Sequence, residues 1–229
     1  MQGKVNRANI IVTPDLGIRM TMTTADTQET SSLKGKYHHG DLRQTLIAAS
    51  YDLVNAHGAD AFSLADACRL ANVSTAAPYR HFKDRDEILA EVTARGFEAM
   101  TAKAVEAVEA AGEGTLEGIT AMGQAYVDFA TAEEGVFRLM FGGAPALEDS
   151  EMVMEMGTNC FGYLIQQITA YCNAHGLEQD ADAVAVKMWT FVHGASALLM
   201  DQKYEKVTPG LDVRRMIAEA VPLLMTKPG

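Results

Sequence analysis

The fold is decided by residues 63–82, which read SLADACRLANVSTAAPYRHF. Ser63 and Asp66 have the spacing of a capping box, in which the two side chains satisfy the free backbone amides of a first helical turn. They predict a short helix over 64–71, and a second short helix follows over 75–82. Two short helices joined by a turn of about three residues are typical of a helix-turn-helix unit.

The turn and the second helix each contain an unusual residue. Asn72 tolerates the left-handed backbone conformation that a tight turn requires. Pro78 would cost about 3 kcal/mol deep inside a helix, because it lacks an N–H and its ring clashes with the preceding turn. If Thr75 is the cap rather than Ser74, Pro78 falls in the first turn, where the missing N–H is harmless. We therefore expect the second helix to begin late or to be slightly distorted.

Helical signals continue on both sides of this unit. Asp41 and Asp84 each stand three residues before a Gln or a Glu, and they predict helices over 41–57 and 85–110. Apolar residues three and four apart predict further helices over 115–131, 133–141, 148–175, 180–203 and 211–225. No segment alternates between apolar and polar residues over the length of a strand. The chain is therefore predicted to be all-α, with about nine helices.

The chain divides into three parts by composition. Residues 1–32 have no hydrophobic periodicity and are rich in Thr and Ser towards their end, which predicts disorder. A helix-turn-helix domain is expected over 33–84. The more apolar remainder, 85–229, is expected to form a larger helical domain with a core of its own.

The charge distribution decides whether nucleic acid is a possible partner. The net charge is −11, but residues 31–90 carry seven basic and seven acidic side chains. Residues 91–229 carry nine basic and twenty acidic side chains, and therefore the whole negative excess. DNA binding through a small N-terminal module is compatible with this distribution.

Several functional classes find no support in the sequence. The three cysteines are odd in number and widely spaced, which predicts neither a zinc site nor a disulfide framework. No metal, cofactor or catalytic motif is recognisable, so we do not expect an enzyme. No apolar run approaches the roughly 18–20 residues of a membrane span, and the N-terminus lacks a secretory pattern. We expect a cytoplasmic protein without a membrane partner.

Residues 37–89 resemble the DNA-binding domain of the TetR/AcrR family of bacterial repressors. The matching elements are the Arg43…Leu46…Ala49 helix, Gly58, Phe62-Ser63-Leu64, Ala71-Asn72-Val73-Ser74, and Tyr79-Arg80-His81-Phe82-Lys83 before a long helix. Asn72 departs from the pattern, in which Gly is frequent. Residues 189–194, WTFVHG, are similar to the WHG signature of one C-terminal ligand-domain class. The resemblance implies a DNA-binding transcriptional regulator, usually a repressor.

Roles on DNA follow from the chemistry of the matched residues. Small and hydroxyl side chains at the start of the recognition helix suit base edges, here Thr75, Ala76 and Ala77. Longer polar side chains are expected to reach phosphates. These are Tyr79, His81 and Lys83, and Ser63 and Ser74 are expected to add phosphate contacts beside the starts of helices. Lys34 and Lys36 lie on an N-terminal arm that is expected to enter the minor groove. Core packing is the alternative for Tyr79, and an internal salt bridge is an equal alternative for Arg80.

The resemblance also implies a cavity in the C-terminal domain for a small apolar or amphipathic effector of unknown identity. The candidate lining consists of Met, aromatic and neighbouring residues, because Met adapts to irregular volumes. It comprises Met122, Tyr126, Phe129, Phe137, Met140, Phe141, Met152, Met156, Cys160, Trp189 and His193. Phe161 and Tyr163 belong to the same apolar stretch. Ordinary core packing is the alternative for each of them.

Apolar stripes on the last two helices predict a partner. They comprise Val184, Met188, Val192, Leu198 and Leu199, then Met216, Ala220, Leu223 and Leu224. In similar proteins these helices form a four-helix interface, which implies a homodimer on a palindromic operator in double-stranded DNA. Two alternatives stay open: a thiol-redox regulator using Cys160 or Cys172, and a family member controlled by a protein partner.

Overall fold

Nine α-helices and one turn of 3₁₀ helix make up the part of the chain that the computed structural model describes, residues 39–143, 147 and 149–226. These residues contain no strand, which confirms the all-α prediction. The expectations for residues 1–32, Lys34 and Lys36 lie outside them. The helices are α1 (His39–His57), α2 (Leu64–Leu70), the 3₁₀ turn (Pro78–Arg80), α3 (Arg85–Ala111), α4 (Leu116–Ala132), α5 (Glu134–Phe141), α6 (Glu151–His175), α7 (Ala181–Met200), α8 (Lys203–Val207) and α9 (Val213–Leu224).

Local capping sets the boundaries of the N-terminal helices. Ser63 Oγ accepts a hydrogen bond from the backbone N–H of Asp66 (3.2 Å), and its hydroxyl donates to the Asp66 carboxylate (2.8 Å). Asp84 likewise accepts from the backbone N–H of Glu87 (2.9 Å), whose carboxylate accepts from the backbone N–H of Lys83 (2.6 Å). Both capping pairs were predicted from residue spacing, since each involves side chains only three or four positions apart.

Two predictions about helix starts are wrong. Helix α1 begins at His39, so Asp41 lies inside the helix rather than at its cap. Residues 75–82 form no α-helix. A turn closed by the Ala77 N–H to the Ser74 carbonyl (3.0 Å) leads into the 3₁₀ segment instead. Because Pro78 has no N–H to donate to Ser74, an α-helical ladder cannot form across it.

One long predicted helix is divided in two. The segment expected over 180–203 ends at Met200, and the short helix α8 follows. Gln202 between them has a φ of 53°, in the left-handed region that a continuous helix excludes. The other predicted helices from residue 85 onward have ends within three residues of those observed.

Two apolar clusters form most of the core. The first joins α1, α2, α3, α4 and α5, and contains Leu46, Phe82, Phe129 and Val136. It therefore crosses the predicted domain boundary between residues 84 and 85. The division at that boundary stays a prediction.

The second cluster joins α4, α6, α7 and α9 of the same chain. It buries Val184, Met188 and Val192 of α7 beside Ile217 and Val221 of α9. The prediction that these three α7 residues belong to a dimer stripe is wrong, because they pack within their own subunit. The large apolar side chains that α7 and α9 leave exposed are Val186, Trp189, Leu198 and Leu223.

By length and composition, the helix Ala181–Met200 could cross a membrane, contrary to the expectation that no segment approaches that length. A core helix satisfies the same criterion. In this fold the Val184, Met188 and Val192 face of the helix packs inside the second core cluster.

Candidate DNA-binding surface and ligand cavity

The turn and the 3₁₀ segment present most of the predicted DNA-contacting residues to solvent. Tyr79 is 67% exposed and therefore not a core residue. Phe82, three residues later, is buried against the first cluster and fixes the segment to the fold. The remaining described candidates are exposed at Ser74, Thr75, Ala76 and Lys83, and partly exposed at Ser63, Ala77 and His81. The structure thus brings these side chains to the surface beside Tyr79.

Ion pairing separates two groups of basic side chains near this surface. Arg43 forms a salt bridge with Glu91 and lies over the ring of Phe82, with its guanidinium carbon 5.1 Å from the ring centre. Arg69 likewise pairs with Asp66.

The second group has no ion-pair partner in the part of the chain that the structure describes. Within the described residues, Arg80 and Lys83 form no ion pair, so the internal salt bridge considered for Arg80 is not observed. Unpaired cations next to an exposed hydroxyl and amide surface are suited to contacting phosphates.

A cavity of about 250 Å³ lies in the C-terminal part, among α3, α4, α6 and α7. Six of the predicted lining residues lie on its wall: Met122, Tyr126, Phe141, Cys160, Phe161 and Trp189. The sequence analysis missed an equally apolar set that includes Phe97, Met100, Leu164, Met188 and Val192. Their helical periodicity signalled burial, but not which buried face borders a cavity.

The other predicted lining residues lie elsewhere. Phe129, Phe137 and Met140 belong to the first core cluster, and Met152 and Met156 are partly buried against it. Tyr163 packs against a small third cluster of α3 and α4. His193 lies behind the cavity wall, where its ring stacks on Phe137 with 5.5 Å between ring centres. None of these residues lines the cavity, so their role in binding an effector stays a prediction.

A chain of hydrogen bonds connects the cavity wall to His193. The indole N–H of Trp189 donates to the hydroxyl oxygen of Tyr126 (3.3 Å), and that hydroxyl lies 2.9 Å from Nδ1 of His193. Burial lowers the pKa of His193 and raises the pKa of Tyr126, so both groups are held in their neutral forms. A neutral imidazole accepts at Nδ1 when Nε2 carries its proton.

Helix α5 connects this network to the N-terminal helices. The ring of His193 lies 4.9 Å from that of Phe141, measured between ring centres. At the other end of α5, the backbone N–H of Gly135 donates to Oδ1 of Asn55 in α1 (3.2 Å). Helix α5 therefore contacts both the cavity wall and α1, the helix that supports the DNA-binding surface.

Comparison with known protein families identifies this arrangement. Residues 46–92 match the model of the bacterial regulatory proteins of the tetR family, and residues 119–222 match that of the tetracyclin repressor-like C-terminal domain. The chain belongs to the TetR family. It is therefore a transcriptional regulator with a helix-turn-helix DNA-binding domain, and the family in general lacks catalytic activity.

Solved structures agree with this membership. A protein of unknown function from Rhodococcus sp. RHA1 is 30% identical, with a TM-score of 0.70 over 82% of this chain and 96% of its own. FadR from Bacillus subtilis, in complex with stearoyl-CoA, is 11% identical, with a TM-score of 0.63 over 80% of this chain and 98% of its own. The TetR-family regulator PfmR from Thermus thermophilus is 17% identical, with a TM-score of 0.51 over 79% and 96%. No curated protein matches the chain significantly in sequence.

The cysteines of this TetR-family chain are in surroundings that suppress thiolate formation. Burial raises the pKa of the Cys68, Cys160 and Cys172 thiols. The thiolate is the form that oxidants attack, so this direction of the pKa disfavours oxidation of the three thiols. In the part of the chain that the structure describes, no three His, Cys, Asp or Glu side chains are grouped closely enough to hold a metal ion.

Proposed function

We propose that this TetR-family regulator is a cytoplasmic repressor that binds a palindromic operator as a homodimer. A small apolar molecule that fills the cavity would release it from DNA. The observation that carries the proposal is the exposed segment from Thr75 to Lys83, whose cations have no partner among the described residues. The cavity lies in the same chain, connected to this segment through α5 and α1.

The chemistry of the exposed segment supports a division of labour on DNA. The Thr75 hydroxyl and the methyl groups of Ala76 and Ala77 suit base edges in the major groove, including the thymine methyl. Tyr79, His81 and Lys83 suit phosphates, with Ser63 and Ser74 beside them. The short 3₁₀ segment would enter the groove in place of the α-helix expected from sequence.

The apolar surface of the last helices supports a dimer. Val186 on α7 and Leu223 on α9 are 49% and 71% exposed, although both helices contribute to the core with their opposite faces. Gly194 on α7 has no atom within 4 Å of the position where a Cβ would stand. Such a surface allows close approach of a second copy, and a two-fold pair would present two recognition segments to successive major grooves.

The cavity supports an effector of modest size. Its volume of about 250 Å³ is just below the roughly 300–1,000 Å³ of pockets for drug-sized ligands. The stearoyl-CoA that FadR binds carries a long acyl chain and a charged nucleotide, whereas the wall here has no charged side chain. The distant likeness to FadR, at 11% identity, supports a common fold and not a common ligand.

Release from DNA would follow from a shift between two conformations. A ligand in the cavity contacts Phe141 at the end of α5, and α5 in turn contacts Asn55 of α1. If the ligand favours a different position of α5, the separation of the two recognition segments in a dimer no longer matches the half-sites. Effective regulation requires a coupling free energy of about 1–3 kcal/mol.

Selection of bound duplexes from a random DNA pool tests the proposal. We expect the retained sequences to share a motif with two-fold symmetry. On that motif, Tyr79→Ala and Lys83→Ala should weaken binding, and Lys83→Ala should also reduce the dependence of log K on log salt concentration by about one, because it removes a charge. Lys103→Ala, an exposed lysine in the middle of α3, is the matched control and should leave both quantities unchanged. Failure to retain any duplex at low salt, or equal effects of Lys83→Ala and Lys103→Ala, would contradict the proposal.

A further inference from the structure

We propose that Arg43 is a positioning residue for DNA recognition. Its guanidinium, held by Glu91, fixes the ring of Phe82 and thereby the place of the exposed segment from Thr75 to Lys83 on the fold. Arg43 acts through Phe82 and makes no contact with DNA. This inference rests on the proposed function in one respect, since it takes that segment as the part that contacts the duplex.

The backbone of the exposed segment gives it little rigidity of its own. Its helical part is a single 3₁₀ turn, Pro78–Arg80, and 3₁₀ hydrogen bonds have poorer geometry than those of an α-helix. The bond from the Arg80 N–H to the Ala77 carbonyl is long, at 3.3 Å. The position of the segment on the fold therefore depends on the side chains that pack beneath it.

Two buried side chains attach the segment to the fold. Pro78 and Phe82 are buried, whereas the three residues between them are exposed or partly exposed. The Phe82 ring packs in the first core cluster. The Phe82 N–H also donates to the Pro78 carbonyl (2.9 Å), which joins the two anchors. A displacement of the Phe82 ring therefore moves the segment with it.

The Arg43 side chain lies over that ring. Its guanidinium carbon is 5.1 Å from the centre of the Phe82 ring, within the roughly 6 Å over which a cation is attracted to a ring face. Arg43 belongs to α1, so this contact joins the first helix to the end of the exposed segment. The attraction favours one position of the ring relative to α1.

Glu91 on α3 holds the guanidinium in place. Its carboxylate accepts a hydrogen bond from Nη2 of Arg43, which is 48 positions away in the chain. The two side chains are 34% and 19% exposed, so salt and water weaken this pair less than a fully exposed one. A planar guanidinium pairs with a carboxylate through its edge while its face lies on a ring, and a lysine ammonium lacks this geometry.

The same ion pair separates Arg43 from the charges that are available to phosphates. Glu91 balances the charge of Arg43 within the protein, whereas Arg80 and Lys83 have no ion-pair partner among the described residues. Only cations that neutralise phosphates release counterions and contribute to the salt dependence of binding. A positioning role therefore predicts that loss of Arg43 lowers the preference for the operator and leaves the salt dependence unchanged.

Amide hydrogen exchange of the full chain tests the positioning step without DNA. The His81 and Phe82 amides donate to the Pro78 carbonyl, and in Arg43→Gln we expect them to exchange about tenfold faster than in the wild type. Arg43→Lys keeps the charge but not the planar contact, so its rates should be intermediate. Arg214→Gln is the matched control, because it removes an ion pair between α9 and α4, and it should leave these two amides unchanged.

Two duplexes test the consequence for recognition: the motif selected from the random pool, and a scrambled duplex of the same length and composition. Arg43→Gln should bind the motif about tenfold more weakly, the effect of about one mismatched base pair, and the scrambled duplex within about twofold of the wild type. Its salt dependence on the motif should change by less than about 0.5. Arg43→Lys should recover part of the preference, and Arg214→Gln should retain all of it.

Glu91→Gln is the second variant, and it keeps the inference testable if Arg43→Gln does not fold. It leaves the guanidinium of Arg43 in place but removes the charge that orients it. We expect the preference for the motif over the scrambled duplex to fall here as well, by about tenfold.

Three results would overturn the inference. They are unchanged amide exchange in Arg43→Gln, an unchanged preference between the two duplexes, and equal weakening on both duplexes with a salt dependence reduced by about one. The last result would make Arg43 a direct phosphate contact. Failure of the proposed function is recognised separately, by equal effects of Lys83→Ala and Lys103→Ala. That outcome removes the role of Arg43 on DNA, while the exchange rates still decide whether Arg43 holds the segment.

Discussion

Gly135 in the first turn of α5 donates its backbone N–H to Oδ1 of Asn55 in α1, with 3.2 Å between nitrogen and oxygen. The Asn55 side chain also donates to the carbonyl of Ala132 (3.4 Å). A Cβ at position 135 would overlap the carbonyl oxygen of Val54. Only glycine allows the two helices to approach this closely. The contact between α5 and α1, which supports the DNA-binding segment, therefore depends on Gly135.

Substituting Gly135 by Ala should therefore force α1 and α5 apart. We expect a loss of about 1–3 kcal/mol in the free energy of unfolding, the usual cost of overpacking a tight contact. Operator affinity should fall as well, because α1 supports the exposed segment from Thr75 to Lys83. Chemical denaturation and DNA titration measure the two effects.

Asn55→Ala is the control for that variant, since it removes the side-chain hydrogen bonds without adding an overlapping atom. It should cost about 1 kcal/mol. A Gly135→Ala protein as stable as the wild type would show that the helices separate without cost, contrary to the packing described here.

Acidification should destabilise the protein through His193. Burial places the pKa of His193 below its ordinary value, so the unfolded chain takes up the proton first as pH falls. The stabilisation is present above the unfolded-state pKa of about 6.5 and is lost as pH falls from there towards the folded-state pKa.

The measurement is the thermal midpoint between about pH 7.5 and pH 5.5. His193→Gln carries no titratable ring, and its midpoint should decline less over this range than that of the wild type. Parallel declines in the two proteins would assign the pH dependence to other groups.

A charge on the exposed apolar face of α7 or α9 should prevent dimerisation. Val186→Glu and Leu223→Glu place a carboxylate where the proposed interface excludes water, and unpaired burial of that charge is unfavourable. We expect monomers in sedimentation experiments. Operator affinity should fall by about tenfold or more, because binding of one subunit no longer holds a second subunit near the other half-site.

Val207→Glu is the matched control for these variants. Val207 on α8 is 77% exposed, so it is at least as accessible, but it lies outside the α7 and α9 face. It should remain dimeric. A monomeric Val207→Glu protein, or dimers in all three variants, would rule out this face as the interface.

The turn between α2 and the 3₁₀ segment should prefer glycine at position 72. Asn72 has a φ of 55°, a left-handed conformation that costs a residue with a Cβ about 1–2 kcal/mol when no local hydrogen bond compensates. Asn72→Gly should be neutral or up to about 1 kcal/mol stabilising, and Asn72→Ala should be destabilising by a similar amount. Thermal unfolding of the pair gives the order, and the reverse order would contradict the observed turn geometry.

The sequence determined the elements whose stabilising contacts are short in range. The caps at Ser63 and Asp84 involve partners three or four residues away, and the left-handed turn at Asn72 involves its own backbone. The amphipathic spacing that predicted most helices is equally local. The helix-turn-helix residues were recognisable for this reason, and they led to the family before any packing was considered.

The sequence also indicated where the helix prediction was least secure, at Pro78 in the second helix of the helix-turn-helix unit. Pro78 predicted a late or distorted second helix, and the structure replaces that helix by a turn and a 3₁₀ segment. The missing N–H explains the break in the helical ladder. The buried position of the ring depends on how the segment packs against the first cluster.

Only the tertiary structure decided which apolar residues line the cavity. Phe129 and Phe141 are the same residue type at similar positions in neighbouring helices, yet one is sealed in the core and the other borders the cavity. Periodicity reports that a helix face is buried. Whether that face meets a side chain or an empty volume depends on helices distant in the chain, such as α3 and α6, and on how closely they approach.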